Sequence, residues 1–551
     1  MTTVAQIRRL CAFGFTTPFW KASTICRGFL FFVLSAAAGC GVSYPRADLV
    51  IINGHEPESL DPAIGSTVED SRVGAALFEG FVRNDPLTSA AIPSLAERWD
   101  ISPDGRVYTF HLHTNLQWST GEPIHADDFV YSWRRVLDPA TAAQYAGQLF
   151  YVKNAQDFNE GKLKDPEKVG IHALDANTVQ VELNAPTAFF LDLITMPTFA
   201  AVPRFAIEKY GDEWIRRQPV PTSGAYTLET WRLNDRIRVR KNPRYWDAAN
   251  TKLDTVDFLP VAMPSTALNL YDTGEADIIW DKELIPTELL DVLRARPDYH
   301  SFDYPASYFL RYNVTQPPFN DVRVRKALAL AIDKKRICDK LLRGGEKPTS
   351  HLVPDNVAHY ESTEGLGYNP QEARKLLAEA GYPGGKGFPN FNYLLDSGGG
   401  ANMHAQIAVE IQNMWESDLG IHVELRQMEK KIYIDAQNRL DYNVSRSSWI
   451  GDYNDPDTFL DLFRSFDGNN RTGWKNAGYD KLMNDADNEV DLKKRAQLLK
   501  QAETILVRDE VPIVPIFHYV GFNFYDPAKV KGIHANALDI HPLNTIWKSS
   551  R

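Results

Sequence analysis

Apolar and polar positions alternate with period two over several runs in the first half of the chain. In the second half they recur with period 3.6. Arg106–His113 (Arg-Val-Tyr-Thr-Phe-His-Leu-His) alternates strictly after a Pro103-Asp-Gly105 turn and predicts a strand. Residues 171–184 predict two strands around an Asp-Ala-Asn turn, and 224–245 predict another pair. Ala126–Leu137 has helical spacing, with Asp127 and Asp128 in the first turn where negative charge suits the helix dipole. Val324, Ala327, Leu328, Ala331 and Ile332 mark one buried helix face. Asn320 or Asp321 can cap that helix, and Gly344-Gly345 can end it. Helical patterns recur at 371–381, 403–418 and 489–508, with short strands Val423–Leu425 and Ile513–Phe517 between them. Helices alternating with strands predict an α/β domain from about 300 to 520, behind a β-richer first half.

The N-terminus departs from both patterns. Residues 1–39 hold Arg8, Arg9, Lys21 and Arg27 and no acid. An apolar run from Phe29 follows, ending in small residues before Gly39-Cys40-Gly41. That arrangement predicts a secretory signal, and the run is shorter than the ~20 residues of a membrane-spanning helix. Ala37-Ala-Gly-Cys40 resembles a bacterial lipobox, with Ala37 where Leu is usual, so Cys40 is the expected lipidation point. An ordinary signal peptide cut nearby is the alternative. The expected product is an exported chain in the periplasm or cell envelope, lipid-anchored to a bacterial membrane. Cys11 and Cys26 leave with the signal and Cys338 stands alone, so no intrachain disulfide is expected.

Charge then looks different. The 551 residues carry a net −11, which divides into +4 in the leader and −15 in the rest. A net acidic chain of ordinary globular composition excludes a disordered protein and is a poor nucleic-acid binder. The length predicts about three domains.

Catalytic signatures are few. No Gly-x-Ser-x-Gly elbow is present. Gly381–Lys386 falls short of a phosphate loop, because Ala380 and Gly387 stand where Gly and Ser or Thr are needed. Asp396-Ser-Gly-Gly-Gly400 reads as a flexible loop. His111-x-His113 can hold a metal from one strand face, but no third ligand stands at suitable spacing, so an exposed strand face is the expectation. No metal, cofactor or enzyme activity is expected. The segment Ser445–Leu460 stands out, with Gly451 before Asp452 and Trp449 and Tyr453 around it. It reads as a turn whose Asp caps the helix that follows, or as an Asp presented to a cation in an aromatic cavity.

Several segments, in order, resemble the extracytoplasmic solute-binding proteins of peptide ABC transporters, the oligopeptide-binding group of family 5. They are Ser59-Leu-Asp-Pro62, Pro93–Trp99, Trp118–Pro123 leading to Ala126–Trp133, Gly224-Ala-Tyr226, Gly274–Asp277, Pro318–Arg325 and Trp449–Leu460. The resemblance implies an α/β, two-lobed periplasmic-binding-protein fold (type II-like, class C) with an extra domain in the first lobe. Its expected parts are a signal peptide over 1–39, domain I over 41–80, 203–300 and 521–551, domain II over 81–202, and domain III over 301–520. The implied function is to enclose an extended oligopeptide between the lobes and deliver it to ABC permease and ATPase subunits, as a monomer.

The same resemblance implies site residues. Asp452 pairs with the ligand's α-ammonium, flanked by Trp449 and Tyr453. Arg446 and His404 stand where relatives bind the ligand carboxylate, although Arg446 can instead pair with a local acid and His404 can be a surface helix residue. Val68, Tyr145 and Tyr519 fall at cleft-lining positions. Departures leave ligand preference open: Ser66 is neutral where peptide binders carry an acid, and Ala306 and Ile450 replace a disulfide found in some members. Cell-wall peptide, dipeptide and nickel chelate stay open as ligands. An exported hydrolase and a peptide-sensing receptor are the other function classes.

Overall fold

The computed structural model describes residues 45–280, 284–397 and 401–549. The signal segment 1–39 and Cys40 lie outside them. No helix among the described residues is long and apolar enough to cross a membrane.

The chain begins with β1 (Leu49–Ile52) and α1 (Val68–Leu77). Next come β2 (Val82–Asn84), β3 (Ala91–Pro93), β4 (Ala96–Ile101), β5 (Val107–Leu112), α2 (Ala126–Leu137), β6 (Ile171–Asp175) and β7 (Thr178–Glu182). Then follow β8 (Tyr226–Arg232), β9 (Arg236–Lys241), β10 (Thr255–Leu259), β11 (Ile278–Ile279) and the long β12 (Tyr299–Tyr312). The rest is α3 (Val322–Leu330), β13 (Lys347–Pro348), α4 (Pro370–Glu379), β14 (Phe391–Asp396), α5 (Ala401–Leu419), β15 (Val423–Met428), α6 (Lys430–Asn438), β16 (Val444–Ile450), α7 (Ala477–Asp487), α8 (Leu492–Thr504) and β17 (Ile513–Tyr525).

One extended sheet runs in the order β15-β14-β16-β12-β17-β11-β1-β10-β9-β8, with β13 paired to β17. Two strands, β12 and β17, carry it from one lobe to the other. Tyr299–Asp303 pairs with Phe524–Val520 in the first lobe, and Ser307–Arg311 pairs with His518–Ile513 in the second. Between them the ladder breaks, with Tyr304, Pro305 and Ala306 set against Tyr519. Irregular pairing at the crossing gives the lobes a place to rotate. Gly521 belongs to the same crossing. A Cβ there would lie 2.1 Å from the Phe302 ring, so the ring covers this strand only because the residue is glycine.

Apolar clusters follow the same division. Residues from Leu49 to Trp280 and from Val530 to Ile546 share one core of the first lobe. A second cluster joins Ala47–Leu293 residues to Phe522 and Phe524. The segment between β1 and β8 forms its own core over the β4-β5-β7-β6 sheet, where Phe81 stacks between Phe110 and Phe129 at 4.3 and 4.1 Å. Asp61 of the Ser59–Pro62 motif ties this core down. Its buried carboxylate accepts from both Arg135 amino groups (2.9 and 2.7 Å) and from the Trp214 indole (2.8 Å). The second lobe packs residues 308–517 on the two sides of its sheet.

The helix predicted to run on toward Gly344 stops at Leu330. Asp333 starts a fresh turn by accepting from the Arg336 amide at 3.0 Å, and the buried Lys334 ammonium donates to the Leu366 carbonyl at 3.0 Å. β17 runs eight residues past the predicted strand. Its second half lies beyond the hinge and pairs with β12 and β11 in the first lobe.

Candidate functional site

β16 brings Trp449 opposite Ser307 on β12 and ends at Ile450. The Gly451 amide then donates to the Pro305 carbonyl at the lobe crossing (2.8 Å). A Cβ on Gly451 would meet the Phe459 ring at 3.1 Å, so a side chain there would require that ring to give way. The turn delivers Asp452. Its amide donates to Thr458 Oγ1 (3.1 Å), which fixes the backbone and leaves the carboxylate projecting. No ion pair or side-chain hydrogen bond holds that carboxylate among the described residues. Burial pushes its carboxyl up to about 6. A carboxylate kept from water without a partner is destabilised in its charged form, and a cation arriving there recovers that loss.

Tyr145 reaches the same place from the inserted domain. It is half-buried, and burial together with the Asp452 charge pushes its phenol above the ordinary range. The two residues therefore lie close enough, across the lobes, for the charge of one to act on the other. Trp449 is half-buried beside them, its indole Nε1 3.5 Å from Thr458 Oγ1. Tyr453 departs from its expected place on a cavity wall. It is buried, its ring stacked on Phe189 of the inserted domain (4.8 Å, 6°), with its hydroxyl 3.2 Å from Asp457 Oδ2. The chain turns at Gly451–Asp452, which leaves Asp452 half-buried and sends Tyr453 into the contact between lobes.

Arg446 and His404 form a second group, joined by a residue the sequence reading passed over. Arg446 is buried. Its Nε donates to Asp396 Oδ1 (2.8 Å), its Nη2 lies 2.8 Å from His404 Nε2, and its Nη1 donates to Ser448 Oγ (3.1 Å). His404 is buried, contrary to a surface helix position. Lys430 stands 3.7 Å from the other Asp396 oxygen. Burial opposes ionisation of Asp396, but the Arg446, Lys430 and His404 charges outweigh it and hold the carboxyl below its usual range. Two strong cations against one carboxylate leave the group net positive. Tyr308 links it to the hinge, with its ring 5.8 Å from the Arg446 guanidinium and 6.5 Å from Tyr519. Val68 is 48% exposed at the start of α1.

Residues 90–471 match the profile described as "Bacterial extracellular solute-binding proteins, family 5 Middle". The chain belongs to that family. The periplasmic oligopeptide-binding protein OppA of Salmonella typhimurium is 36% identical over 524 residues, covering 92% of this chain and 95% of the relative. Haemophilus influenzae OppA, solved in complex with the peptide RPPGFSPFR, is similar at a TM-score of 0.73 with 33% identity, covering 92% and 99%. The Escherichia coli murein tripeptide binding protein MppA gives 0.75 with 33% identity, covering 92% and 99%.

In this family 5 solute-binding protein, His111 and His113 each have partners of their own. His111 Nε2 lies 2.8 Å from Asp100, and the His113 ring stacks on Trp246 at 4.5 Å. Asp396 was missed because it closes a strand before a glycine run that reads as loop alone. Its link to Arg446 depends on parallel pairing of β14 with β16, which no local pattern announces.

Proposed function

We propose that this chain binds oligopeptides in extended form between its two lobes and delivers them to the permease and ATPase subunits of an ABC importer. One observation carries the reading: the half-buried Asp452 carboxylate, without a partner among the described residues, whose charge reaches Tyr145 of the inserted domain. A peptide's α-ammonium supplies the missing cation, and a charge-assisted bond of about 1.5–3 kcal/mol fixes where the peptide starts. Main-chain pairing supplies affinity common to all sequences. The net-positive Arg446–Asp396–His404–Lys430 group is suited to the other, acidic end of a ligand through the charge it adds to that side.

Domain I is assigned to 41–80, 203–300 and 521–551, domain II to 81–202, and domain III to 301–520, a division the separate apolar clusters support. The protein acts as a binder and not as an enzyme. A lipid on Cys40 tethers it to the bacterial cell envelope, and it works as a monomer.

Mass spectrometry of ligands released from the purified native protein tests the assignment. Peptides with free amino termini are the expected result. Cleavage of a defined peptide by the pure protein, or release only of nickel chelates, overturns it.

A further inference from the structure

Three side chains outside both groups described above converge at the hinge. His351, Asp355 and His518 each offer one ligand atom, and these atoms all lie within 4.8 Å of one another. His351 Nε2 is buried and makes no hydrogen bond among the described residues, although an Asp355 carboxylate oxygen stands 3.0 Å away. With the His351 proton on Nδ1, Nε2 and the Asp355 oxygen are two electron-rich atoms that a shared cation relieves. His518 is buried, and its ring centroid is 5.0 Å from that of His351. Its Nε2 lies 3.2 Å from the His351 carbonyl. A proton on Nε2 donated to that carbonyl leaves the lone pair on the other ring nitrogen, the arrangement by which metal-binding imidazoles are held.

The surrounding structure fixes these groups in place. Leu352 and Val353 both donate their amides to the buried Glu503 Oε1 (2.9 Å each). Thr349 donates its amide to the Ile516 carbonyl (3.1 Å), and β13 pairs Lys347 with His518 itself. The Lys347 ammonium, on the strand paired with His518, is occupied by Asp303 at 2.7 Å. Asp355 is exposed and can swing. Tetrahedral zinc bonds of about 2.0–2.1 Å place ligand atoms roughly 3.3 Å apart, so modest rotation of the outer side chains completes the geometry.

We propose that His351, Asp355 and His518 bind a Zn²⁺ ion, with water in the fourth position. Two imidazoles and one carboxylate suit zinc, whereas calcium and magnesium take oxygen ligands. His518 precedes Tyr519 at the ladder break, so the ion ties a loop of the second lobe to a strand that crosses between lobes.

The test uses the tag-free full-length protein, stripped with EDTA and dialysed against Zn²⁺, with bound metal counted by mass spectrometry. The wild type is expected to take up one equivalent saturably. Asp355→Asn and His351→Gln are each expected to weaken that binding at least about tenfold. Asp355→Asn changes an exposed side chain, so its thermal midpoint in EDTA is expected to match the wild type while its zinc-induced rise is lost. Absence of saturable binding, or equal binding by the wild type and both variants, overturns the proposal.

Discussion

Burial, and after it the charge of Asp452, pushes the Tyr145 phenol above its ordinary range, although Asp452 belongs to the second lobe and Tyr145 to the domain inserted in the first. Removing the charge while keeping the shape isolates its part in binding. Asp452→Asn is expected to weaken affinity for a free tri- to pentapeptide at least about tenfold, the scale of one charge-assisted bond. Folding should be unchanged or slightly improved. Calorimetry checks this, and an N-acetylated peptide provides the contrast. Equal losses for both peptides would remove the amine from the account.

The same carboxyl sets a pH dependence. It titrates near 6 in the folded chain against 3.8 when free. Between those values the folded state keeps a proton that the unfolded chain releases, so this group favours folding below about pH 4 and its contribution declines as pH rises to 6. Ligand binding runs the other way, because an ammonium pairs with the ionised form. Peptide affinity is expected to fall as pH drops below 6, approaching a tenfold loss near pH 5. A titration series by calorimetry should show that slope in the wild type and a flat profile in Asp452→Asn.

Tyr453 and Phe189 join the second lobe to the inserted domain by stacking at 4.8 Å. Such pairs contribute about 0.5–1.5 kcal/mol beyond the area they bury. Phe189→Leu and Tyr453→Leu are each expected to destabilise the protein, and a double-mutant cycle in urea should return a coupling of about 1 kcal/mol. Additive losses would place the two rings in separate cores.

How far the sequence reached depended on the kind of order involved. The helix Ala126–Leu137 was visible end to end, because one packed face repeats at helical spacing. β12 was not, since Pro305–Tyr312 is buried on both sides and shows no alternation. Asp452 stood out only as one of two readings until the resemblance favoured the cation site. Asp396, His351 and His518 carried no local signal. Their partners come from segments far along the chain, and tertiary pairing alone brings them together.

Arg446 and Asp396 make a buried pair whose halves should not be removed singly. Arg446→Gln leaves Asp396 buried with Lys430 alone at 3.7 Å, and is expected to cost about 3–5 kcal/mol of stability. Asp396→Asn in the Arg446→Gln background should recover much of the loss, since neither uncompensated charge remains. The Asp396 carboxyl is depressed in the folded chain, so its contribution is present above the ordinary carboxylate range and lost as pH falls through the depressed value. Urea melts at neutral and acid pH check both points. A single Arg446→Gln variant as stable as the double would contradict the pairing.

Gly521 offers the most direct handle on the hinge. A Cβ there would sit 2.1 Å from the Phe302 ring tip, well inside contact distance. Gly521→Ala therefore has to displace Phe302 from the crossing strands. A displaced aromatic ring of this kind costs roughly 1–3 kcal/mol by overpacking. Because Phe302 pairs with Gly521 within one residue of the ladder break, the strain falls where the lobes rotate rather than inside either core. Peptide association should slow, while the apolar clusters remote from the crossing keep their amide protection. Gly521→Ala combined with Phe302→Leu removes the ring and should restore most of the stability and the rate. Stopped-flow binding with hydrogen exchange separates the two effects, and unchanged kinetics in Gly521→Ala would mean that the crossing strands do not set the rate of closure.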